Sequence, residues 1–312
     1  MYARIRRTMK AIVALTLLIL AVATYGFQRT PPSAPKSSPF DERRVDADLR
    51  TIVGFGPRPA GSDSIAKTRN YIVSELSKAG LKAQLDEFDA RTPRGSRHMV
   101  NIRTARPGAK PTAIAVTGHY DTKVFEKFSF VGASDGGSSA AWLLEFARAT
   151  AGLKLENTLE FVFFDGEEAV VEWTDDDSVY GSRHDVARRY RDRRLNDLKA
   201  LILVDMIGDK NLNIRKETQS TTWLKNMIWD TAHSLGYGNE FPNEQIEVSD
   251  DHIPYLKAAL PAVDLIDFDY PCWHEACDTL DKVSAHSLKI VGDVVYFSLP
   301  EIDRRVSQNA SR

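Results

Sequence analysis

The chain has 312 residues, of which 43% are hydrophobic and 27% are charged, with a formal net charge of −2. This length and composition are ordinary for a globular domain with a sizeable core, and they exclude a largely disordered chain. The near-neutral charge gives no reason to expect a nucleic-acid partner. The densest basic run, at 188–194, is interleaved with aspartate and is typical of the solvated face of a helix.

The amino terminus reads as a separate module. Basic residues precede an apolar run at 11–23 that ends in Ala21-Val22-Ala23, which is the layout of a secretory signal peptide. The run is shorter than the roughly 18 residues of a spanning helix, although residues 24–27 could extend it into an uncleaved membrane anchor. We therefore assign 1–27 to a signal peptide or N-terminal anchor, 28–40 to a Pro/Ser-rich linker and 41–312 to the folded domain. We expect the domain to be exported, either periplasmic or secreted.

Strand-like apolar runs alternate with amphipathic stretches along the rest of the chain. Ile65, Ile72, Leu76 and Ala79 fall on one helical face, and Gly80 offers a stop. Further helices are predicted from about 138 to 147, 185 to 198, 223 to 235 and 284 to 299. This alternation predicts a single α/β domain, and the sequence contains no internal repeat or second domain.

Carboxylate and imidazole side chains follow several of the strand-like runs. His119 comes after the run 113–116, and Asp205 closes the run 201–204. Asp135 lies in a Gly-rich stretch just before a predicted helix, and His274 follows the run 262–266. Open α/β sheets bind ligands at the carboxyl ends of their strands. A single such residue is more often a cap or a surface group, but their recurrence at strand ends predicts a site.

Two adjacent carboxylates, Glu167 and Glu168, stand where the apolar run 161–164 breaks at Asp165-Gly166. Burying one carboxylate beside another is unfavourable unless a cation or a shared proton offsets the repulsion, so the pair favours a metal on one and a proton on the other. The alternative is an acidic turn. Two carboxylates and an imidazole on separate loops, with one open position, are how catalytic zinc is held, although cobalt or manganese could use the same ligands.

The order of His119, Asp135, Glu167-Glu168, Asp205 and His274 resembles the zinc peptidase family M28. Further features are similar to its glutaminyl cyclase branch, and they are Trp173, the segments 177–184 and 250–255, and the Trp273-His274 pair. The resemblance covers roughly residues 50–295. It implies one domain with a twisted, mostly parallel central sheet and helices on both faces.

The resemblance also implies roles for these residues. Zinc would be bound by Asp135, Glu168 and His274, with Glu167 as the acid/base group. Asp205 and Asp250 match two further buried carboxylates that would share a proton with Glu167, although Asp250 could also be a helix N-cap. The implied reaction is cyclisation of an N-terminal glutamine to pyroglutamate with release of ammonia, on peptide or protein substrates. We expect a monomer that contacts a membrane only through an uncleaved N-terminal segment.

Aromatic and cysteine residues near the predicted ligands extend this hypothesis. Trp173, Tyr270 and Trp273 are predicted to form a narrow apolar slot for the glutamine side chain. Cys272 and Cys277 flank His274, and in an oxidising compartment they are predicted to form a disulfide that braces this loop. Reduced or zinc-proximal thiols remain an alternative.

Two other functions remain open from the sequence. Residues 56–62 resemble the opening of the aminopeptidase members of family M28, which use two metals. His119, Asp135 and Asp205 could then hold a second metal, and otherwise His119 is structural. Trp173 and Trp273 favour the cyclase, because they would narrow the slot. A third hypothesis is an exported binding protein without catalysis, against which stands the presence of every ligand and of Glu167.

Overall fold

The structure is a computed structural model that describes residues 37–309. The predicted signal peptide or anchor lies outside the described residues, as does most of the predicted linker. The compact unit begins at Ser37. Phe40 is buried with its ring 5.9 Å from that of Trp142, and the backbone N–H of Ser38 donates to Asp293 Oδ1 at 2.7 Å. Among the described helices, none is long and apolar enough to cross a membrane.

Six strands form the central sheet, in the spatial order β1-β2-β4-β3-β5-β8. Their bounds are β1 Gln84–Thr92, β2 Gly95–Arg106, β3 Lys110–His119, β4 Asn157–Phe164, β5 Leu198–Asp205 and β8 Ala262–Ile266. Strand β2 is antiparallel to both β1 and β4, whereas the β3–β4, β3–β5 and β5–β8 pairs are parallel. The prediction of a mostly parallel sheet is confirmed. Two short strands, β6 Lys216–Glu217 and β7 Gln245–Ile246, pair separately.

Helices cover both faces of the sheet. Their bounds are α1 Glu42–Gly54, α2 Asp63–Lys78, α3 Gly137–Ala149, α4 Tyr180–Arg191, α5 Thr222–Leu235, α6 Ile253–Lys257 and α7 Ala285–Asn309. Helices α1, α2, α3, α5 and α7 contribute to the larger core, whereas α4 and α6 pack in the smaller one. In β4, Phe161 and Phe163 face the larger core and Val162 and Phe164 the smaller, because alternate side chains of a strand point to opposite faces.

The helix predictions are confirmed in position and differ at some ends. Helix α2 starts as an N-capped helix, with Ser62 Oγ accepting from the Ile65 N–H at 3.2 Å, and it ends just before Gly80. Helix α7 continues through Pro300 to Asn309, beyond the predicted end. Tertiary contacts favour this extension: Asp303 accepts hydrogen bonds from the backbone N–H groups of Glu156 and Asn157, at 2.8 and 2.9 Å.

Candidate active site

The predicted polar residues converge at the carboxyl edge of the parallel strands. His119 ends β3 and Asp205 ends β5, while Glu167 and Glu168 follow β4. Asp135 reaches the same edge from the loop before α3, Asp250 from the segment between β7 and α6, and His274 from the loop after β8. The topology explains this convergence, because parallel neighbouring strands end on one side of the sheet. Except for the half-buried His274, these side chains are buried.

Asp135, Glu168 and His274 form one compact set of potential ligands. His274 Nε2 lies 3.2 Å from Glu168 Oε1 and 3.4 Å from Asp135 Oδ2, and one ligand atom from each residue lies within 4.8 Å of the others. Within the described structure, Asp135 Oδ2 and Glu168 Oε2 are buried without a hydrogen-bond partner. Buried unpaired carboxylate oxygens are unfavourable, and two carboxylates with one imidazole are zinc ligands. These residues therefore fit a zinc ion.

His119 forms a second set with Asp135 and Asp205. Its Nε2 lies 3.0 Å from Asp205 Oδ1 and 3.3 Å from Asp135 Oδ1, while its Nδ1 lies 3.3 Å from Asp121 Oδ1. Burial opposes the charged imidazole, but Asp205 and Glu167 raise the pKa of His119 well above its usual value. Asp135 is thus shared between two sets. This set could either bind a second cation or carry the positive charge of His119 itself as a protonated imidazole.

Glu167 faces the cavity beside the first ligand set. Burial raises the pKa of Glu167 well above its usual value, partly offset by His119 and reinforced by Glu168 and Asp250. Burial likewise raises the pKa of Asp250, reinforced by Asp205 and Asp251. These carboxyl groups therefore hold a proton more readily than exposed carboxyl groups do, which suits a general acid/base.

Asp250 does not act as the helix cap that the sequence allowed. Helix α6 begins at Ile253 with His252 at the N-cap, and no side chain caps it. The Asp250 carboxylate instead accepts from the backbone N–H of Asp251, and its second oxygen has no hydrogen-bond partner within residues 37–309. This orientation leaves it available to the carboxyl network.

A cavity of about 390 Å³ opens over the set. Its polar floor includes Glu167, Glu168, Asp205 and Asp250, and its mouth is flanked by Trp173 and Trp273, which are 38% and 40% exposed. The structure places both tryptophans where the sequence predicted them. Sequence reasoning missed an apolar wall that includes Val248, Ile266 and Phe268. Ile266 and Phe268 stand two residues apart at the end of β8, but Val248 comes from a separate segment, so no local pattern brings all three together.

The prediction that Tyr270 lines this slot is wrong. Its side chain is only 4% exposed, and its hydroxyl donates to Asp278 Oδ1 at 2.7 Å. Trp273, in the same loop, lines the cavity instead. Its indole stacks on the His274 ring, with the ring centroids 4.6 Å apart. Of these two aromatic residues, only Trp273, which directly precedes His274, lines the cavity.

Asp121 was not assigned a role from the sequence. Its two carboxylate oxygens accept hydrogen bonds from the backbone N–H groups of Glu167 and Glu168, at 3.1 and 3.2 Å. It therefore fixes the direction of this peptide segment. The preceding Gly166 has φ 69°, and a Cβ there would clash with Met99 Sδ. The sequence signal was the proximity of Asp121 to His119, but its hydrogen-bond partners follow β4, the strand paired with β3.

The predicted disulfide is present between Cys272 and Cys277, with the sulfurs 2.03 Å apart. It closes a short loop around His274, which adopts a left-handed conformation with φ 55°. Such conformations in non-glycine residues cluster at functional sites.

Comparisons with known proteins agree with this geometry. Residues 101–298 match the family model described as Peptidase family M28. The glutaminyl-peptide cyclotransferase of Boiga irregularis is 30% identical over 279 residues, covering 76% of this chain and 75% of that protein. The crystal structure of an Acidobacteriales bacterium glutaminyl cyclase has a TM-score of 0.81 and 35% identity, covering 89% of this chain and 100% of that one.

A structure of an enzyme described as a peptidase is also similar. A Zn-dependent exopeptidase from Parabacteroides distasonis has a TM-score of 0.76 and 25% identity, covering 86% of this chain and 99% of that one. The family match extends over more than half of the chain and includes every proposed metal ligand. This chain therefore belongs to peptidase family M28.

Proposed function

We propose that the chain is a zinc-dependent glutaminyl-peptide cyclotransferase. It converts the N-terminal glutamine of peptides and proteins to pyroglutamate and releases ammonia. The observation that carries this proposal is a protonatable Glu167 beside the Asp135, Glu168 and His274 set, in a cavity flanked by two tryptophans. Relatives and solved structures named as glutaminyl cyclases support the same activity.

Asp135, Glu168 and His274 would hold the zinc ion, which as a Lewis acid would polarise the side-chain carbonyl of the substrate glutamine. The fit of these residues rests on their donor types and on the unpaired carboxylate oxygens. Family membership and the exopeptidase neighbour also support zinc.

Glu167 carries the proton transfers. The α-amine nitrogen attacks the side-chain amide carbon, and Glu167 accepts a proton from that nitrogen. Glu167 then returns the proton to the amide nitrogen, whose bond to carbon breaks as ammonia leaves. The new bond closes a five-membered lactam within one molecule, so the substrate itself supplies proximity. A carboxyl group with a raised pKa suits both accepting and returning a proton.

Asp250 and Asp205 support Glu167 as neighbouring buried carboxyl groups. Burial raises the pKa of both Glu167 and Asp250, reinforced by Asp250 at Glu167 and by Asp205 at Asp250, so a proton on this group of side chains lowers the repulsion. Trp173 and Trp273 would flank the glutamine side chain and can offer indole N–H donors.

We also propose export of the domain, supported by the signal-like composition of residues 1–27, and a monomeric state.

A two-metal aminopeptidase is the second candidate, favoured by one specific observation. The His119, Asp135 and Asp205 set shares Asp135 with the first set, so two cations could bind side by side. Glu167 would then activate water to hydrolyse an N-terminal peptide bond. The similar fold of the Zn-dependent exopeptidase from Parabacteroides distasonis supports this candidate. The tryptophans at the mouth favour the cyclase.

The deciding experiment compares substrates and metal content. The purified chain is incubated with a glutaminyl peptide and with a leucyl peptide, and products are identified by mass spectrometry. Chelator-sensitive loss of one ammonia from the glutaminyl peptide, with one zinc per chain, supports the cyclase. Release of free leucine with two metals per chain would instead establish the aminopeptidase.

His119→Ala separates the same alternatives at one residue. In a one-zinc cyclase, this change leaves zinc stoichiometry intact and lowers kcat modestly, because His119 only organises neighbouring carboxylates. In a two-metal enzyme, it removes a ligand and one metal is lost. Metal content per chain before and after the substitution gives the answer.

A further inference from the structure

Asp278 lies outside the cavity lining and has no role in the mechanism above. It directly follows Cys277, and its side chain is 1% exposed. Its carboxylate accepts three hydrogen bonds, from the Ser134 N–H at 2.8 Å, the Asp135 N–H at 3.1 Å and the Tyr270 hydroxyl at 2.7 Å. Among the described residues, no lysine, arginine or histidine forms a salt bridge with it. Its charge is therefore stabilised by these donors.

These contacts connect two segments that are remote in sequence. Asp135 precedes α3, whereas Asp278 follows the disulfide loop that carries His274. The backbone N–H of Ala133 also donates to the backbone carbonyl of Asp278, at 3.3 Å. The peptide units on both sides of Ser134 are thereby held against the His274 segment. Fixing this backbone fixes the direction in which the Asp135 side chain leaves it.

The two segments meet again at the proposed ligand set. Asp135 Oδ2 lies 3.4 Å from His274 Nε2, although neither residue is held to the other by a shared strand or helix. The two loops are thus connected at two points, by the hydrogen bonds of the Asp278 carboxylate and by the contact between His274 and Asp135. Tyr270 completes the support from beneath, which explains why this tyrosine is buried and does not face the cavity.

We propose that Asp278 is a positioning residue for the zinc site, fixing Asp135 relative to His274 so that ligands from two separate loops are preorganised. Residues that orient metal ligands typically change metal affinity or activity by about 10- to 100-fold when they are replaced. This inference rests on the zinc site of the proposed function.

The test is a chelator competition on the full chain. Asp278→Asn keeps the side-chain shape, but its NH₂ group cannot accept a hydrogen bond, so zinc affinity should fall by about 10- to 100-fold. Tyr270→Phe leaves both backbone contacts and should cause a smaller, few-fold loss. Glu275→Gln is the matched control, because it removes one carboxylate charge next to His274 from an exposed residue. It should bind zinc like the wild type.

Saturating zinc distinguishes positioning from general damage. If Asp278 positions a ligand, excess zinc restores most of the kcat of Asp278→Asn, and its metal-free melting temperature stays close to that of the metal-free wild type. Wild-type zinc affinity in Asp278→Asn would overturn the inference, as would an equal loss in Glu275→Gln. If Asp278→Asn does not fold, unchanged zinc affinity in Tyr270→Phe overturns it.

The same assay separates this inference from the proposed function. If the wild-type chain retains no zinc against a weak chelator, the zinc site itself is wrong and both fall. If the wild type retains zinc and cyclises glutamine while Asp278→Asn retains zinc equally well, the inference alone falls.

Discussion

Glu167 and Glu168 are adjacent in the chain but have different surroundings. Glu168 Oε1 accepts from the Lys123 backbone N–H at 3.2 Å and lies 3.2 Å from His274 Nε2. Burial and Asp135 raise the pKa of Glu168 in the metal-free protein, a trend that a bound cation would reverse. Glu167 has His119 as its cationic neighbour, at 3.7 Å. This difference suits Glu168 to bind a metal and Glu167 to exchange a proton.

Replacing Glu167 with Gln should abolish turnover without releasing zinc. The amide cannot accept the amine proton, so kcat should fall by about 10²- to 10⁴-fold or more, the range for losing a general acid/base group. Zinc stoichiometry should not change, because Glu167 lies outside the ligand set. Glu172→Gln, a change of the same type in an exposed lining residue, is the control. Substantial residual kcat in Glu167→Gln would exclude the assigned role.

As a proposed zinc ligand, His274 should make zinc binding depend on pH. Burial lowers its pKa, but the nearby carboxylates of Asp135 and Glu168 outweigh burial and raise the pKa from 6.5 to about 9 in the metal-free protein. Zinc binds the neutral imidazole, so this proton must leave on binding. Apparent zinc affinity should therefore increase with pH up to about 9. Chelator competition across this range measures it, and a pH-independent affinity would contradict the prediction.

The same pKa shift has the opposite effect on the metal-free fold. A raised folded-state pKa stabilises the fold fully below the unfolded value of 6.5, and this stabilisation is lost as pH rises through about 9. Removing zinc should thus cost more stability at high pH than at low pH. Thermal melting with and without chelator measures this difference. In His274→Ala, this contribution to the pH dependence of metal-free melting should disappear.

At the scale of elements, the loop between β8 and α7 holds the site together. It contains the disulfide, the Asp278 carboxylate and His274, whose backbone has a left-handed conformation. The strand and the helix on either side anchor its two ends in the core. The short disulfide ring restricts the backbone on both sides of His274. Metal affinity should therefore depend on this covalent bond.

Replacing both Cys272 and Cys277 with Ala should destabilise the fold by about 2 kcal/mol, the chain-entropy value for so short a loop. Zinc retention should decrease as well, because His274 would lose its restraint. Urea unfolding and chelator competition measure the two effects. Reducing the wild type should reproduce the zinc effect and add two hydrogens to its mass. Unchanged zinc retention after both treatments would show that the loop holds His274 without the bond.

At the scale of the whole molecule, the mouth of the cavity is negatively charged. Glu172 and Glu247 line the cavity and are exposed, and neither forms a salt bridge within the described residues. Lys123 is the single lysine or arginine in the lining, and its Nζ is already 3.6 Å from Glu168 Oε2. Peptide residues that follow the glutamine would pass this mouth. A cationic peptide should therefore be attracted to it.

Peptides with lysine after the N-terminal glutamine should have a few-fold higher kcat/KM than peptides with glutamate there. The difference should shrink at high ionic strength, because salt screens exposed charges. The double variant Glu172→Gln, Glu247→Gln should reduce the preference. Asp230→Asn on α5 is the control, since Asp230 is exposed and lies outside the cavity lining. Equal kcat/KM for both peptides at low salt would contradict the prediction.

The sequence by itself determined the fold class and most of the site chemistry. Apolar runs such as 161–164 encode buried strands through local composition, and the residues at their ends must meet if the strands are parallel. Glu167, Glu168, Asp135 and His274 were predicted as site residues in this way, together with a motif order typical of one family. Such features depend on neighbouring residues or on the order of motifs along the chain, so they can be read from the sequence alone.

The tertiary structure decided which residues support those ligands. Asp121 and Asp278 act on backbone N–H groups far away in the chain, and Tyr270 is buried against Asp278 although it stands four residues from His274. The extension of α7 beyond Pro300 likewise depends on distant partners of Asp303. Hydrogen bonds and burial of this kind arise only when remote segments pack together. No local pattern of residue types encodes them.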